Sequence, residues 1–320
     1  MLTRREALIS TVATGVALFT RWDERLLAAA PQPATALDFR PPAGTTDTHR
    51  HIFGDLKRYP YAPTSGYRHE PATADDMHKL DRAMHIDRRV LIQPSGYGTD
   101  NSCLLDGLKA LGANSRGVVA IDDKTSDKTL DEMNRAGVRG IRLNLGQTAP
   151  EGKQRLAEAG SRLKGRSWHI NTAVQIGILE GIQDALVGSP VPVVLDHYAG
   201  AKASEGTSQK GFDVLLRLLK SGNVYLKMSR LHNASTQAPG YADVEPLAKA
   251  VIAANPARLL WGTDWPHAGI RPQGYSPTDI SPDLKYDDGL IFNEFARWVG
   301  NSSLLKTILV DNPAKLYEFR

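Results

Sequence analysis

The sequence has almost no cysteine, since Cys103 is the only one among 320 residues. An intrachain disulfide is therefore impossible, and a metal site built from several thiolates is excluded as well. The chain also lacks a hydrophobic run of about 18 residues, the length needed for a membrane-spanning helix. Its mild apolar run over residues 7–19 is too short and too rich in Ala, Gly and Thr to cross a bilayer.

A strong excess of one charge is missing too. The formal net charge is +4, with 39 Lys and Arg against 35 Asp and Glu. The locally basic stretch 135–142 is not long enough to follow a phosphate backbone, so nucleic acid is not an expected partner. The apolar fraction of 41% and the charged fraction of 23% are ordinary for a soluble globular protein.

The first 36 residues differ from the rest. Arg4 and Arg5 directly precede the apolar run, and small residues at 28–30 and 34–36 could precede a cleavage site. This pattern predicts a twin-arginine export signal over residues 1–36, and a periplasmic or secreted protein with no membrane attachment after export. The charged cluster at 21–25 is late for a signal and favours the alternative, an extension on a cytoplasmic protein.

From residue 45 onward, short β-rich runs alternate with longer helical patterns. The predicted strands are 46–53, 89–93, 117–121, 138–145, 168–174, 191–196, 223–228 and 259–263. The predicted helices are 74–84, 102–111, 130–136, 152–163, 176–186, 211–219, 244–254 and 290–299. This alternation implies parallel pairing, and eight units imply an α/β fold, the (β/α)8 TIM barrel.

No linker rich in Gly, Ser or Pro divides this region, so residues 37–320 are predicted to form a single domain. Two details of its elements can be anticipated. Thr129 is expected to cap the helix 130–136, because acidic residues follow it in the first turn. Residues 268–287 form a long loop after strand eight, and loops of that length usually cover a site.

Polar side chains recur where the strands of this barrel end, which is where the working groups of such barrels lie. Strand one carries His49 and His51, which alternation places on one face together with Asp47. The later strand ends carry Arg142, Asp196 and His197, Lys227, Ser229 and Arg230, and finally Asp264 and His267. A single histidine at a strand end is usually structural, but five of eight ends carrying His, Asp or Arg indicate a shared catalytic site.

Other histidines are interpreted differently. His69, His78 and His85 lie in a loop or on a helix and are interpreted as surface residues. His169 lies early in strand five, away from the expected catalytic end.

Several stretches taken together resemble the amidohydrolase superfamily, and within it the amidohydrolase-2 type of metal-independent lactonases that act on 2-pyrone-4,6-dicarboxylate and related sugar-acid lactones. The matching stretches are 46–54, 91–101, 136–142, 195–197, 260–267 and 310–317. They cover the chain from residue 45 to its end. The resemblance implies hydrolysis of a carboxylate-bearing lactone, with isomerisation of a sugar-acid lactone as the alternative.

The resemblance also implies residue roles. Three residues would surround the lactone carbonyl: His49, His51 and His197. Asp264 would activate water. Four groups would hold substrate carboxylates, namely Arg142, Ser95, Arg230 and His267, and Tyr61 would also reach the substrate. The stretch 228–232 around Arg230 departs from the family pattern.

The residues leave the question of a metal partly open. Three histidines and an aspartate could hold zinc, since both residue types are ordinary zinc ligands. A two-metal site also needs a bridging carboxylate or modified lysine from strand four, which carries Arg142 and no Lys, Glu or His. We therefore expect no cofactor, with one zinc ion as the open alternative, in a zinc-dependent amidohydrolase or decarboxylase.

Without a metal, lactone hydrolysis needs an activated water and a stabilised oxyanion. Asp264 can take the proton of the water, and the histidines can donate to the oxygen. Arg142 and Arg230 can pair with carboxylates in a bidentate manner, which an uncharged substrate would not explain. The expected partner is a small anionic lactone, and the oligomeric state is left open.

Overall fold

The computed structural model describes residues 30–320 of the chain. Its centre is a sheet of eight parallel strands, each paired with the next in sequence. The strands are β1 (Thr46–Arg50), β2 (Arg88–Ile92), β3 (Ser115–Val119), β4 (Val138–Asn144), β5 (His169–Ala173), β6 (Val193–Leu195), β7 (Val224–Met228) and β8 (Leu259–Trp261). Each overlaps one predicted strand, so the prediction of a (β/α)8 barrel is confirmed.

The barrel closes through residues that follow β8. Arg50 and Trp265 form a parallel bridge. The amide of Asp264 donates to the carbonyl oxygen of His49 at 2.8 Å. The amide of His51 donates to the carbonyl oxygen of Trp265 at 2.9 Å. Because the two ends of the sheet are joined here, Asp264 lies next to the histidine pair.

Helices cover the outside of the barrel. They are α1 (Ala74–Met84), α2 (Ser102–Leu111), α3 (Asp127–Arg135), α4 (Ala149–Leu163), α5 (Leu179–Val187), α6 (Phe212–Ser221), α7 (Leu231–Ala234), α8 (Glu245–Ala254), α9 (Asp288–Val299), α10 (Ser302–Lys306) and α11 (Asn312–Tyr317). All eight predicted helices are present, and the short α7, α10 and α11 were not predicted. The prediction that Thr129 caps its helix is wrong, because the side chain of Ser126 accepts from the Thr129 amide at 3.1 Å and α3 begins earlier.

Apolar residues form two cores around the strands of the barrel. One core lies between the strands and the helices, and a second lies inside the barrel. The inner core contains strand residues such as Val90, Ile92 and Val118, together with Tyr317 and Phe319 from the C-terminus. Tyr317 contacts the ring of His169 at the start of β5. His169 therefore lies at the closed, N-terminal end of the strands, as expected.

A buried ion-pair network joins β1 to α1. Arg50 is fully buried, and its guanidinium lies 2.6 Å from Asp47 and 2.5 Å from Asp81. We expect Arg50→Met to lower the free energy of unfolding by about 3–5 kcal/mol, because the buried Asp47 would be left without a cation. Urea unfolding followed by circular dichroism measures this loss.

The matched control is Arg217→Met, which breaks an exposed pair with Asp213. Exposed pairs of this kind contribute less than about 1 kcal/mol. An Arg50→Met variant as stable as this control would contradict the stabilising role of the network.

The segment before β1 packs against the domain. Trp265 Nε1 donates to the Pro31 carbonyl oxygen at 2.6 Å, and the Thr35 hydroxyl donates to Asp287 at 2.6 Å. Asn293 donates to the Ala36 carbonyl oxygen at 2.9 Å. Most of the predicted export signal, residues 1–29, lies outside the described residues. Within 30–320, none of the helices has both the length and the apolarity required to span a bilayer.

Candidate active site

Three histidines converge on one carboxylate oxygen at the C-terminal end of the barrel. The Nε2 atoms of His49 and His51 each lie 3.4 Å from Asp264 Oδ1. The Nε2 atom of His197 lies 3.9 Å from the same oxygen. All four side chains are buried. The structure thus brings together the four residues predicted to be catalytic.

The backbone turns sharply where the strands deliver these side chains. His197, Arg230 and Asp264 have φ angles of 53°, 54° and 68°. This left-handed region costs a residue other than glycine about 1–2 kcal/mol. Such strain concentrates at functional sites, where the surrounding structure holds it in place.

Burial and neighbouring charges set the protonation of the cluster. Burial lowers the pKa of His49 to about 4 and that of His197 to about 3. Burial alone would raise the pKa of Asp264, but Arg230, whose Nε lies 3.4 Å from Asp264 Oδ2, helps to hold it well below the usual value. At neutral pH an ionised carboxylate therefore faces two neutral imidazoles and can accept a proton from water.

The hydrogen bonds of two rings limit which of them can donate. His51 Nδ1 lies 2.8 Å from the carbonyl oxygen of Ile92, which can only accept, so this nitrogen carries a proton. Neutral His51 therefore presents a lone pair at Nε2 and donates there only as an imidazolium. His197 Nδ1 lies 2.8 Å from the Ser229 hydroxyl, which can donate or accept. Of the three histidines predicted to donate to the lactone oxygen, neutral His51 therefore cannot donate from Nε2, whereas His49 and His197 can.

His267 lies beside the cluster with a fully buried ring. Its amide donates to the Asp264 carbonyl oxygen at 3.0 Å, and its Nε2 lies 3.0 Å from Asp288 Oδ2. Although burial opposes it, the Asp288 carboxylate raises the pKa of His267. Its Nδ1 has no hydrogen-bond partner among residues 30–320. A ring with a raised pKa and an unpartnered Nδ1 suits the predicted task of holding an anion.

A cavity of about 510 Å³ lies at the C-terminal ends of β2, β4 and β5. Two residues predicted to bind substrate, Ser95 and Arg142, line it. Arg142 Nη1 donates to the Gln93 carbonyl oxygen at 2.7 Å. The rest of this guanidinium is available to a carboxylate in the cavity.

Tyr61 is not among the residues that line this cavity and packs instead against the neighbouring turn 95–97. It is buried, its ring packs on Tyr97 with centroids 4.8 Å apart, and its hydroxyl accepts from the His69 amide at 2.9 Å. These contacts hold the turn 95–97 that carries Ser95. The structure therefore places Tyr61 against the turn that carries Ser95, which is predicted to bind substrate.

The interpretation of His69 as a surface residue is wrong. It is 1% exposed, its ring stacks on Phe53 at 4.7 Å, and its Nε2 lies 2.5 Å from Asp283. The reason is that the loop 268–287 folds back over the loop after β1 and buries this ring, a contact between segments far apart in sequence. His85 is exposed and the His78 side chain is 41% exposed, as expected.

A polar layer of Asn171, Asp196 and Lys227 lies directly beneath the histidines. The sequence places Asp196 and Lys227 at strand ends but assigns a role in the site to none of the three. Lys227 Nζ donates to Asn171 Oδ1 at 2.5 Å. It also lies 3.2 Å from Asp196 Oδ1 and 3.3 Å from His49 Nδ1. The available signal was strand parity, since a lysine two residues after the inward Tyr225 must also point into the barrel.

One divalent metal ion would fit the cluster chemically. His49, His51 and Asp264 offer three ligand atoms within 4.8 Å of one another. His49 Nε2 and Asp264 Oδ1 are buried without a hydrogen-bond partner among the described residues. His49 also groups with Asp196 and His197 at ligand spacing, but Lys227 already lies against two of these three.

Known proteins match this chain over most of its length. It is 30% identical over 290 residues to 2-pyrone-4,6-dicarboxylate hydrolase of Comamonas testosteroni, covering 87% of this chain and 92% of that protein. It is 27% identical over 303 residues to D-galactarolactone isomerase of Agrobacterium fabrum, covering 92% and 96%. A ligand-free structure from Agrobacterium tumefaciens superposes with a TM-score of 0.73 at 25% identity, covering 90% of this chain and 99% of that one.

The family assignment rests on a sequence match that covers all eight strands and the helices after them. Residues 46–319 match the sequence profile of the family described as Amidohydrolase. This range begins at the first residue of β1 and contains every residue of the histidine and aspartate cluster. The chain belongs to the amidohydrolase family.

Proposed function

We propose that this protein hydrolyses a lactone that carries one or more carboxylates, and that it does so without a metal. Candidate substrates are a pyrone dicarboxylate, a muconolactone-like compound or an aldaric acid lactone. The observation that carries the proposal is the convergence of three imidazole Nε2 atoms on Asp264 Oδ1. The hydrolase and isomerase relatives, both named for lactones or pyrones, support the same substrate class.

The proposed reaction needs only groups of this chain and one water. Asp264 accepts a proton from the water as its oxygen adds to the lactone carbonyl. His49 and His197 donate hydrogen bonds to the oxyanion that forms. When the ring C–O bond breaks, the protonated Asp264 returns its proton to the leaving oxygen. The products are a hydroxyl group and a carboxylic acid, which ionises and releases one proton.

Fixed cations around the cluster support an anionic substrate. Arg142 lines the neighbouring cavity, Arg230 lies against Asp264, and Asp288 raises the pKa of His267. A guanidinium pairs with a carboxylate through two parallel hydrogen bonds. An uncharged lactone would offer these groups no carboxylate to bind.

We expect Arg230→Met to raise KM for the anionic lactone about 10- to 100-fold, since a hydrogen bond to a charged group contributes about 1.5–3 kcal/mol. The pKa of Asp264 should also rise, because the opposing charge of Arg230 is lost. The acidic limb of kcat/KM should therefore move to higher pH. Arg230→Lys keeps the charge and should leave that limb in place. Unchanged KM and an unmoved limb in Arg230→Met would contradict this role.

The deciding experiment is a screen of aldaric, aldonic and pyrone lactones in weakly buffered solution, with metal content measured on the same sample. Hydrolysis releases one proton per turnover, whereas isomerisation consumes lactone without releasing acid. Proton release equal to lactone consumed supports the proposal. Lactone consumption without acid would favour the isomerase, the activity named for one relative.

The zinc-dependent alternative has its own test. His49, His51 and Asp264 would hold the ion, which would polarise the carbonyl and acidify a bound water. Loss of activity on prolonged chelation, restored by zinc at one equivalent, would favour this alternative. Full activity in protein with no measurable metal supports the proposal made above.

We further propose that the chain is exported by its twin-arginine pair and cut near residues 28–30. The alternative cut near 34–36 would remove residues that bind Trp265 and Asp287. An exported enzyme would meet sugar-acid lactones of plant origin more readily than intermediates formed inside cells. The mass of the N-terminal peptide from periplasmic protein tests the cut, and an uncut cytoplasmic protein would refute export.

A further inference from the structure

The fully buried lysine beneath the histidine cluster has no part in the reaction described above. Lys227 projects from β7 into the barrel and is 0% exposed. Its Nζ lies within 3.3 Å of Asn171 Oδ1, Asp196 Oδ1 and His49 Nδ1, and the last of these can accept only when it carries no proton. An ammonium group has three protons and no lone pair, so it can only donate to each of these atoms.

We infer that Lys227 is a positioning residue that holds His49 in the tautomer with a bare Nδ1 and a protonated Nε2. In this tautomer Nδ1 accepts the third ammonium proton. Nε2–H then points toward Asp264 Oδ1, 3.4 Å away, where the reacting atoms of a substrate would lie. His49 becomes a hydrogen-bond donor at the side of the ring that faces the substrate.

The competing arrangement places the proton on Nδ1, where it would donate to Asp196 Oδ1 at 3.3 Å. Hydrogen-bond counting disfavours it. Asn171 donates to Asp196 Oδ2 at 2.6 Å, and the charge of Oδ1 is balanced by Lys227 Nζ at 3.2 Å, although Oδ1 accepts no hydrogen bond among the described residues. A proton on Nδ1 would face the ammonium and leave one of its buried protons without an acceptor. An unpaired buried donor costs about 1–3 kcal/mol, and more when it is charged.

The charge balance of the layer agrees with this count. Lys227 and Asp196 form a buried ion pair, and Asn171 bridges them with one donor and one acceptor. Buried charges persist when they are paired and their remaining hydrogen bonds are made. Lys227 can therefore donate to His49 only when Nδ1 of that ring is an acceptor.

The first test is a long-range proton–nitrogen NMR correlation at pH 7 on the full-length protein labelled with [¹⁵N]histidine. His49 is assigned by the signals that disappear in His49→Gln. We expect Nδ1 to resonate as an unprotonated nitrogen and Nε2 as a protonated one. A protonated Nδ1 with a bare Nε2 in the unmutated protein would overturn the inference, whatever the variants do.

The second test is Lys227→Met, which keeps a similar length and removes the donor. Asp196 Oδ1 then becomes the remaining partner of Nδ1, so the proton should move to Nδ1 and the NMR pattern of His49 should invert. We expect kcat to fall about 10- to 100-fold with KM within about threefold, because Lys227 does not face the substrate. The control Lys249→Met, at an exposed residue paired with Glu245, should change neither readout.

An unchanged His49 tautomer in folded Lys227→Met would overturn the inference. If this variant does not fold, the spectrum of the unmutated protein decides alone. The kinetic expectation rests on the proposed function, whereas the tautomer does not. A failed lactone screen with the expected spectrum would therefore refute the activity and leave the role of Lys227 standing.

Discussion

Asp264→Asn should lower kcat for lactone hydrolysis by about 10²–10⁴-fold, the usual contribution of a general base. The amide cannot accept a proton from water at neutral pH, yet it has the shape of the carboxylate. Asparagine also tolerates the left-handed backbone at this position, where φ is 68°. The loss should therefore reflect chemistry rather than misfolding, and steady-state kinetics by proton release measures it.

Binding and stability separate this effect from structural damage. Calorimetry with the substrate should give an affinity that is unchanged or higher, since Arg230 loses its internal carboxylate partner. The control Asp122→Asn changes an exposed carboxylate beyond the end of β3 and should keep full activity. Full turnover in Asp264→Asn with intact binding would show that another group activates the water.

Acidification should destabilise this protein steeply between about pH 6.5 and pH 4. Burial lowers the pKa of His49 to about 4, and those of His169 and His197 to about 3, from an ordinary value of 6.5. Above pH 6.5 these rings are neutral in both the folded and the unfolded chain. Below it the unfolded chain binds protons that the folded chain excludes, so the free energy of unfolding falls.

The size of this effect approaches the whole stability of a domain. At pH 4 each ring contributes roughly 3 kcal/mol to this loss, because the folded pKa of each is about 4 or lower. Three rings together amount to roughly 10 kcal/mol, against a typical total of about 5–15 kcal/mol. His267 offsets part of the loss, because its pKa is raised beside Asp288. Urea unfolding at several pH values measures the slope.

His169→Gln provides the test at a residue outside the site. His169 is fully buried at the closed end of the barrel, so its removal should leave kcat within about twofold. The difference in unfolding free energy between pH 7 and pH 5 should shrink by roughly 2 kcal/mol. The exposed His85→Gln should leave that difference unchanged. If His169→Gln and the unmutated protein lost equal stability between pH 7 and pH 5, buried His169 would not contribute to the acid destabilisation.

Local patterns in the sequence determined the barrel and most of the candidate site. Alternation of β-rich and helical runs predicts eight strands, and the position of polar residues at strand ends predicts that His49, His197 and Asp264 meet. Strand parity can be inferred from one segment alone, and parallel strands all end at the same side of the barrel. Both inferences therefore need no knowledge of distant contacts. The prediction that Thr129 caps a helix is wrong, because the neighbouring Ser126 can supply the same kind of hydrogen bond and α3 begins directly after it.

Tertiary structure alone decided how each side chain is used. His69 is buried because two distant loops meet over it, and one N–H of Arg142 donates to the backbone carbonyl of Gln93. Lys227 reaches His49 across 178 residues of sequence. Such contacts depend on which distant strands lie opposite each other in the barrel. The pattern of residues within one segment does not contain this information. The histidine pair of β1 could therefore be recognised from the sequence, whereas the proton that each ring presents depends on partners from β2 and β7.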